Sequence, residues 1–162
     1  MRILLAVFLL VFANCAVFAE SGDEAMDRGE KAAKNGKHQE AIKAFNIAIE
    51  KFTEVIEKNP RDAKAYTDRG HAYFRKGAVI FKDKSEERHE LYKLANADCA
   101  AAIEIDPNHT RAYALRALTS TFIGETYYEN AIKDAKRACE LGNCDLLKLI
   151  TARLTRLSYE VD

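Results

Sequence analysis

The chain has 162 residues, and its 25 basic and 25 acidic side chains give a formal net charge of zero at pH 7. This balance argues against a protein that binds nucleic acid electrostatically. Two prolines and seven glycines are too few for the many turns of a β-sandwich or for the glycine repeat of collagen, so a mostly helical chain is favoured.

Residues 1–19 have the features of an export signal. A positive start precedes an almost wholly apolar run over residues 3–18, and the small residue Ala19 comes directly before a polar stretch. This order is typical of a secretory signal peptide. We therefore expect cleavage near Ala19, a single mature domain of residues 20–162, and a periplasmic or secreted protein.

Two other roles of the N-terminal segment stay open. One is an uncleaved membrane anchor, although the apolar run is shorter than the roughly 20 residues that a spanning helix needs. The other is lipidation of Cys15, although Asn14 occupies the place where lipoprotein signals have a small residue. Either role would make the chain a membrane-tethered subunit of a larger cell-envelope complex. Membrane contact is expected only if the segment is retained.

The rest of the chain contains internal repeats. Residues 57–66 match residues 104–113 at an offset of 47 positions. Each stretch contains a proline, Pro60 or Pro107, that fixes a turn between two helices. The Asp-Arg-Gly sequence at 27–29 recurs 41 positions later at 68–70. Self-similarity at a period of roughly 20–50 residues indicates a stacked array of helices.

Each copy also has the periodicity of an amphipathic helix. Apolar or small residues recur at spacings of three and four, which places them on one helical face. Ser85 is a suitable helix cap for the stripe that follows it. The stripe residues are Ala41, Phe45, Ala48, Phe52, Val55 and Ile56 in the first copy, Leu91, Leu94, Ala95, Cys99, Ala102 and Ile103 in the second, and Ala131, Ala135 and Ala138 in the third.

These copies resemble the tetratricopeptide repeat (TPR) family, in which helix pairs of about 34 residues stack on one another. The resemblance implies an all-α fold, a right-handed α-solenoid. It places three helix-turn-helix repeats at about 22–60, 63–107 and 110–143, and a capping helix at about 145–158. The copy that matches best contains Tyr66, Gly70, Tyr73, Tyr92, Ala95, Ala102 and Pro107.

Departures from the family pattern predict a specialised array. Ala25 occupies the place of an aromatic residue in the first copy, and Ala117 replaces the repeat glycine in the third. Extra residues lengthen the second helix of the first copy, and others are inserted at 77–90 in the second copy. We expect helices of up to about 20 residues. Segment 77–90 is interpreted as an extended helix pair with a solvated turn, and the alternative is a docking lobe around Phe81.

The resemblance also implies a binding surface. In the family, the first helix of each pair lines a concave face that binds peptides, so a protein or peptide partner is expected and a nucleic acid is not. The mixed charge of this face agrees with such a partner. The candidate groove residues are Asp27, Glu30, Lys34, Lys64, Thr67, Asp68, His71, Arg75, Arg111, Ala114 and Leu118.

One specificity of the family is not predicted for this chain. Some chaperone-binding members clamp a C-terminal carboxylate with Lys, Asn and Arg side chains. Of the residues at the corresponding places, Arg111 alone has a suitable side chain. These places hold Met26, Glu30, Asp68, Arg111 and Leu115.

No pattern in the chain indicates an enzyme, a cofactor or a metal site. The four histidines lie in different predicted elements and lack the close spacing of a metal-binding motif. Phosphate-binding glycine loops and nucleophile elbows are absent from the sequence. We therefore expect an adaptor, scaffold or assembly factor that acts by binding.

The three cysteines of the mature domain have different expected roles. Cys139 and Cys144 flank a short turn that brings their Cα atoms into the range of a disulfide, and an oxidising compartment favours that bond over two free thiols. Cys99 lies on an apolar stripe and is expected to be a free, buried thiol.

Export and the disulfide are tested together. Peptide mass mapping of the protein from its source cells, without reduction, is expected to find an N-terminal peptide that begins at Glu20 and a linked pair of peptides that carry Cys139 and Cys144. A retained Met1, an acylated Cys15 or a disulfide that involves Cys99 would contradict these expectations.

Overall fold

The computed structural model describes residues 20–80 and 85–159, so the expected signal peptide at 1–19 and the side chain of Phe81 lie outside the described residues. The expected all-α fold is confirmed. None of the helices in the described ranges is both long and apolar enough to span a bilayer. The helices are α1 (Gly22–Lys34), α2 (His38–Lys58), α3 (Ala63–Val79), α4 (Ser85–Ile105), α5 (Thr110–Ile123), α6 (Tyr128–Glu140) and α7 (Asp145–Tyr159), with a 3₁₀ turn at Glu125–Tyr127 before α6.

Local sequence determines where the helices begin and end. Ser21 caps α1 by accepting a hydrogen bond from the backbone N–H of Glu24 at 3.2 Å, while the Glu24 carboxylate accepts one from the Ser21 N–H at 2.8 Å. Asp62 caps α3 by accepting from the N–H of Ala65 at 2.9 Å. After α1, Gly36 has a φ of 72°, a left-handed conformation that favours glycine.

The helices form three consecutive pairs, and α7 follows as a cap. Each helix packs against its neighbour in the chain, so the second helix of one pair contacts the first helix of the next. The first helices also touch one another, α1 with α3 and α3 with α5. Such one-dimensional stacking places α1, α3 and α5 side by side on one face.

A small residue lets the two helices of each pair approach closely. A Cβ atom added at Gly29 would lie 2.5 Å from the ring of Phe45, and one at Gly70 would lie 3.1 Å from the carbonyl oxygen of Ala95. In the third pair, Ala117 takes this place and packs among buried alanines of α6. The small residue therefore leaves room for an aromatic ring of the second helix in the first pair and for its backbone in the second pair.

Buried ion pairs join the two helices of the second and third pairs. Arg69 of α3 donates hydrogen bonds of 2.7 and 2.9 Å to Asp98 of α4, and Arg116 of α5 donates bonds of 2.7 and 2.8 Å to Asp134 of α6. Asp98 and Asp134 are 6% and 4% exposed. Because an unpaired buried carboxylate is costly, each pair of bonds fixes how the second helix is oriented on the first.

The C-terminal helix covers the last apolar face of the array. Ile150 and Leu154 of α7 pack with the buried alanines of α5 and α6. The guanidinium carbon of Arg153 lies 4.1 Å from the ring centroid of Phe122, an attractive cation–π geometry. The Phe122 ring centroid lies 5.1 Å from that of Tyr92, so this contact ties α7 to the second pair as well.

The extra residues of the second copy lengthen its helices. α3 continues to Val79, which packs against the buried cluster around Phe45, and Ile80 is 7% exposed. α4 begins at Ser85, as its sequence predicts. With 21 residues each, α2 and α4 reach the expected length.

The cysteines lie at two separate places. Cys139, in the last turn of α6, forms a disulfide with Cys144 across the turn to α7, and their Cα atoms are 3.9 Å apart. Cys99 is a free, fully buried thiol. Burial raises the pKa of the Cys99 thiol far above its usual range, which disfavours the reactive thiolate.

A larger side chain at Gly70 tests the close approach of α3 and α4. Gly70→Leu is expected to lower the free energy of unfolding by roughly 1–3 kcal/mol, because the added atoms must displace the backbone of Ala95 and the side chain of Asp98. Thermal unfolding followed by circular dichroism measures the change.

The matched control is Ala78→Leu, which adds a leucine at an exposed position of the same helix. Gly36 is unsuitable as a control since its positive φ would strain any side chain. If Gly70→Leu and Ala78→Leu melt alike, the two helices are not in close contact at Gly70.

Candidate functional site

A concave pocket of about 190 Å³ opens where the three first helices, α1, α3 and α5, face one another. Met26 and Phe52, which are 8% and 6% exposed, form its apolar floor. Its polar lining combines residues from all three helix pairs. These residues are Asp23, Asp27 and Glu30 of α1, Lys64, Asp68 and His71 of α3, and Arg111 of α5.

A buried carboxylate lies at the centre of the polar lining. The side chain of Asp68 is 5% exposed, and it accepts a hydrogen bond from Nζ of Lys64 at 2.6 Å and another from Nη1 of Arg111. Lys64 lies one turn earlier on α3, whereas Arg111 reaches across from α5, 43 residues away in sequence. The side chains of Lys64 and Arg111 stay 67% and 52% exposed. Two cations at the surface therefore neutralise one buried anion.

His71 extends this arrangement along the same face of α3. Its Nδ1 lies 3.4 Å from Nη2 of Arg111. Burial, followed by the positive charge of Arg111, lowers the pKa of His71 below its ordinary value of 6.5, and Arg75 acts in the same direction. Glu30 and Asp68 oppose the shift without reversing it. The imidazole is therefore neutral at neutral pH.

The α1 side of the pocket is acidic. Asp23 and Asp27 are exposed, and Glu30 is half-buried with its Oε1 3.7 Å from Nε of Arg75. That separation is longer than a hydrogen bond, so the contact is a weak ion pair. The pocket lining has four carboxylates against two cations. With His71 neutral, its net charge is negative.

Six of the predicted groove residues meet in this pocket, and five do not line it. Lys34 is exposed at the end of α1, Arg75 contacts Glu30 beside the pocket, and Ala114 is half-buried on α5. Leu118 does not face the groove but packs against the cluster that α7 covers. The six residues that meet are Asp27, Glu30, Lys64, Asp68, His71 and Arg111.

Two of the candidate groove residues have buried side chains. Thr67 is fully buried, and its hydroxyl donates a hydrogen bond to the carbonyl oxygen of Ala63 at 2.9 Å. Asp68 is also buried, although it borders the pocket. Both lie on α3, the central one of the three first helices, which has neighbours on either side and so exposes a narrower face.

Sequence reasoning missed three lining residues. Asp23 precedes Asp27 by one helical turn, so extending the predicted face of α1 by one turn would have included it. Met26 holds one of the places that correspond to the carboxylate clamp but is not among the predicted groove residues, and Phe52 lies on a predicted apolar stripe. Both form the floor. No sequence signal marks the point where an apolar stripe reaches the edge of a pocket.

A larger cavity, of about 810 Å³, opens between α4, α5 and α6 on another face. It includes the ion pair between Arg116 and Asp134, which has the same geometry as the pair between Arg69 and Asp98 and so has a structural role. None of the predicted groove residues lines it. Within residues 20–80 and 85–159, no group of three or more His, Cys, Asp or Glu side chains is arranged to hold a metal ion.

Comparison with known proteins finds similarity in sequence. No protein-family profile matches the chain. The Hsp70-Hsp90 organizing protein of Triticum aestivum is 31% identical over 111 residues, which cover 68% of this chain. The chain spans 15% of the length of that protein.

Solved structures share the architecture. TTC0263, a TPR protein of Thermus thermophilus, superposes with a TM-score of 0.59 at 15% identity, over 85% of each chain. The first TPR of Spaghetti (RPAP3), bound to the HSP90 peptide SRMEEVD, superposes with a TM-score of 0.52 at 23% identity, over 85% of this chain and 96% of that one. These likenesses show the fold.

The lowered pKa of His71 predicts a loss of stability in acid. Because the folded chain binds the proton of His71 less tightly than the unfolded chain does, the free energy of unfolding falls as the pH decreases through about 6.5 and below. Between about pH 7.5 and about pH 5, wild type is expected to lose more stability than His71→Gln. Urea unfolding at each pH measures this difference. Equal losses in the two proteins would contradict a destabilised imidazolium at this site.

Proposed function

We propose, on the premise that the chain has the fold of a TPR domain, that it is a protein-interaction module whose concave face binds an extended segment of another protein. The observation that carries the proposal is the pocket itself, which takes polar residues from all three helix pairs. Each pair alone would offer one helix face. Stacked together, they provide a continuous surface with several fixed contacts, and this suits a peptide that crosses the helices.

The composition of the pocket favours a peptide over a polyanion. Its lining mixes both signs of charge with a buried apolar floor of Met26 and Phe52. An extended peptide can place an apolar side chain on such a floor while polar groups contact the rim. A solved domain of the same fold, the first TPR of Spaghetti (RPAP3), is bound to a peptide of HSP90.

The proposed activity is binding without catalysis. The most buried titratable group of the pocket, Asp68, is held between Lys64 and Arg111. A carboxylate whose two oxygens are engaged in charge-assisted bonds is poorly placed to take a proton from a substrate. His71 contacts Arg111, and no nucleophilic hydroxyl or thiol is among the lining residues. The arrangement therefore supports recognition.

The proposed setting is outside the cytoplasm, where an exported adaptor, scaffold or assembly factor would act. The support is the order of charge, apolar run and small residue in segment 1–19. The juxtaposition of Cys139 and Cys144 agrees with an oxidising compartment. Retention of the N-terminal segment would instead favour the membrane-tethered alternative.

A charge reversal in the pocket tests the proposed surface. Partners that the wild-type chain captures from an extract of its source cells are identified, and the affinity of one purified partner is then measured for Asp27→Lys. Asp27 is exposed and lines the pocket, so a lysine there is expected to weaken binding by roughly tenfold or more without unfolding the domain. Isothermal titration calorimetry measures the affinity.

Glu50→Lys provides the matched control, because Glu50 is exposed on α2, lies outside this pocket and undergoes the same change of charge. Its affinity for the partner should equal that of wild type. If Asp27→Lys binds as tightly as Glu50→Lys, the partner does not use the concave pocket and the proposal is wrong.

A further inference from the structure

The pocket contains an arrangement that holds a carboxylate, and the chain occupies it with a residue of its own. Lys64 and Arg111 extend from two different helices and converge on the two oxygens of Asp68, Lys64 on Oδ2 and Arg111 on Oδ1. An ammonium and a guanidinium aimed at one carboxylate form a strong, charge-assisted anion site. We propose that Asp68 is a specificity-determining residue, which fills this site from within and so makes the pocket reject acidic peptide termini.

Asp68 stays bound to Lys64 and Arg111 because its carboxylate is buried. Its side chain is 5% exposed, whereas those of its two cations are 67% and 52% exposed. Releasing the cations to a ligand would leave a buried carboxylate without partners, which is strongly unfavourable. A ligand carboxylate must therefore approach cations that are already neutralised, beside the like-charged carboxylate of Asp68.

The surroundings reinforce this discrimination. Asp23, Asp27 and Glu30 add negative charge on the α1 side of the pocket. Of these three carboxylates, Glu30 forms a weak ion pair with Arg75. Like charges at close range raise the free energy of an anionic complex. A segment that binds here should instead be neutral or basic where it meets Asp68.

The position of Asp68 in the repeat explains why this carboxylate is buried. The same place is held by Asp27 in the first copy and by Leu115 in the third. Asp27 is exposed, and Leu115, which is 7% exposed, has no charge. The central pair alone combines an acidic residue at this place with neighbouring helices on both sides.

The inference rests on the proposed function and is tested with a defined probe, the peptide SRMEEVD, made with a free C-terminal carboxylate and as the C-terminal amide. Wild type is expected to bind the free acid no more tightly than the amide, because its two cations are already bound to Asp68. Asp68→Asn keeps the size of the side chain, removes its charge and frees both cations, so it should bind the free acid roughly tenfold more tightly than wild type does. The amide should gain no such affinity. Isothermal titration calorimetry of the full chain measures all four combinations.

Two controls separate the freed cations from a general change of charge. Asp27→Asn removes one negative charge from the same pocket but releases neither cation, so it should not create a preference for the free acid. Adding Arg111→Ala to Asp68→Asn should abolish the gain. Circular dichroism verifies that each variant is folded, and Asp68→Ser replaces Asp68→Asn if the latter is not.

Several results would overturn the inference. They are a wild-type chain that prefers the free acid over the amide, a folded Asp68→Asn protein without a carboxylate-dependent gain, or an Asp27→Asn protein with an equal gain. The first of these results needs no variant and would overturn the inference by itself. Failure of the proposed function would appear separately, as a natural partner whose binding is unchanged by Asp27→Lys.

Discussion

The close approach of the two helices in each pair is the constraint on which the rest of the array depends. At Gly70 a Cβ atom would lie 3.1 Å from the carbonyl oxygen of Ala95, and at Gly29 it would lie 2.5 Å from a ring carbon of Phe45. This short separation allows the buried ion pair between Arg69 and Asp98 to span α3 and α4. Because each pair stacks on the next, the geometry of one interface determines where the following helix lies.

Charge has two roles in this fold, on two sides of the same helices. Arg69 and Arg116 face the second helix of their own pair and bind Asp98 and Asp134, which stabilises the pair. Asp68 precedes Arg69 directly in sequence, so it points in a different direction around α3 and borders the concave pocket. The Asp-Arg-Gly sequence at 68–70 thus supplies both a residue of an internal ion pair, Arg69, and a carboxylate of the pocket, Asp68.

The contact between Arg111 and Asp68 holds the concave pocket together. It joins α5 to α3 across 43 residues of sequence, and the resulting pocket is lined by all three first helices. The pocket carboxylates outnumber its cations, and the only two cations among its lining residues are bound to Asp68. Side chains at a few places can therefore give pockets of the same fold different charge and shape.

The sequence by itself determined the helices, their pairing and most of the pocket residues, because apolar periodicity, caps and proline turns are local patterns, and the repeats align Asp27 with Asp68. Only the tertiary structure decided what those aligned residues do. Asp27, on the first described helix, is exposed, while Asp68 is buried between neighbouring helices. At the next position, Arg28 pairs with Glu20 of the preceding segment, whereas Arg69 pairs with Asp98 of the second helix in its own pair. Burial depends on which helices pack against a residue, and neighbours that lie 40 or more residues away leave no mark on its local sequence.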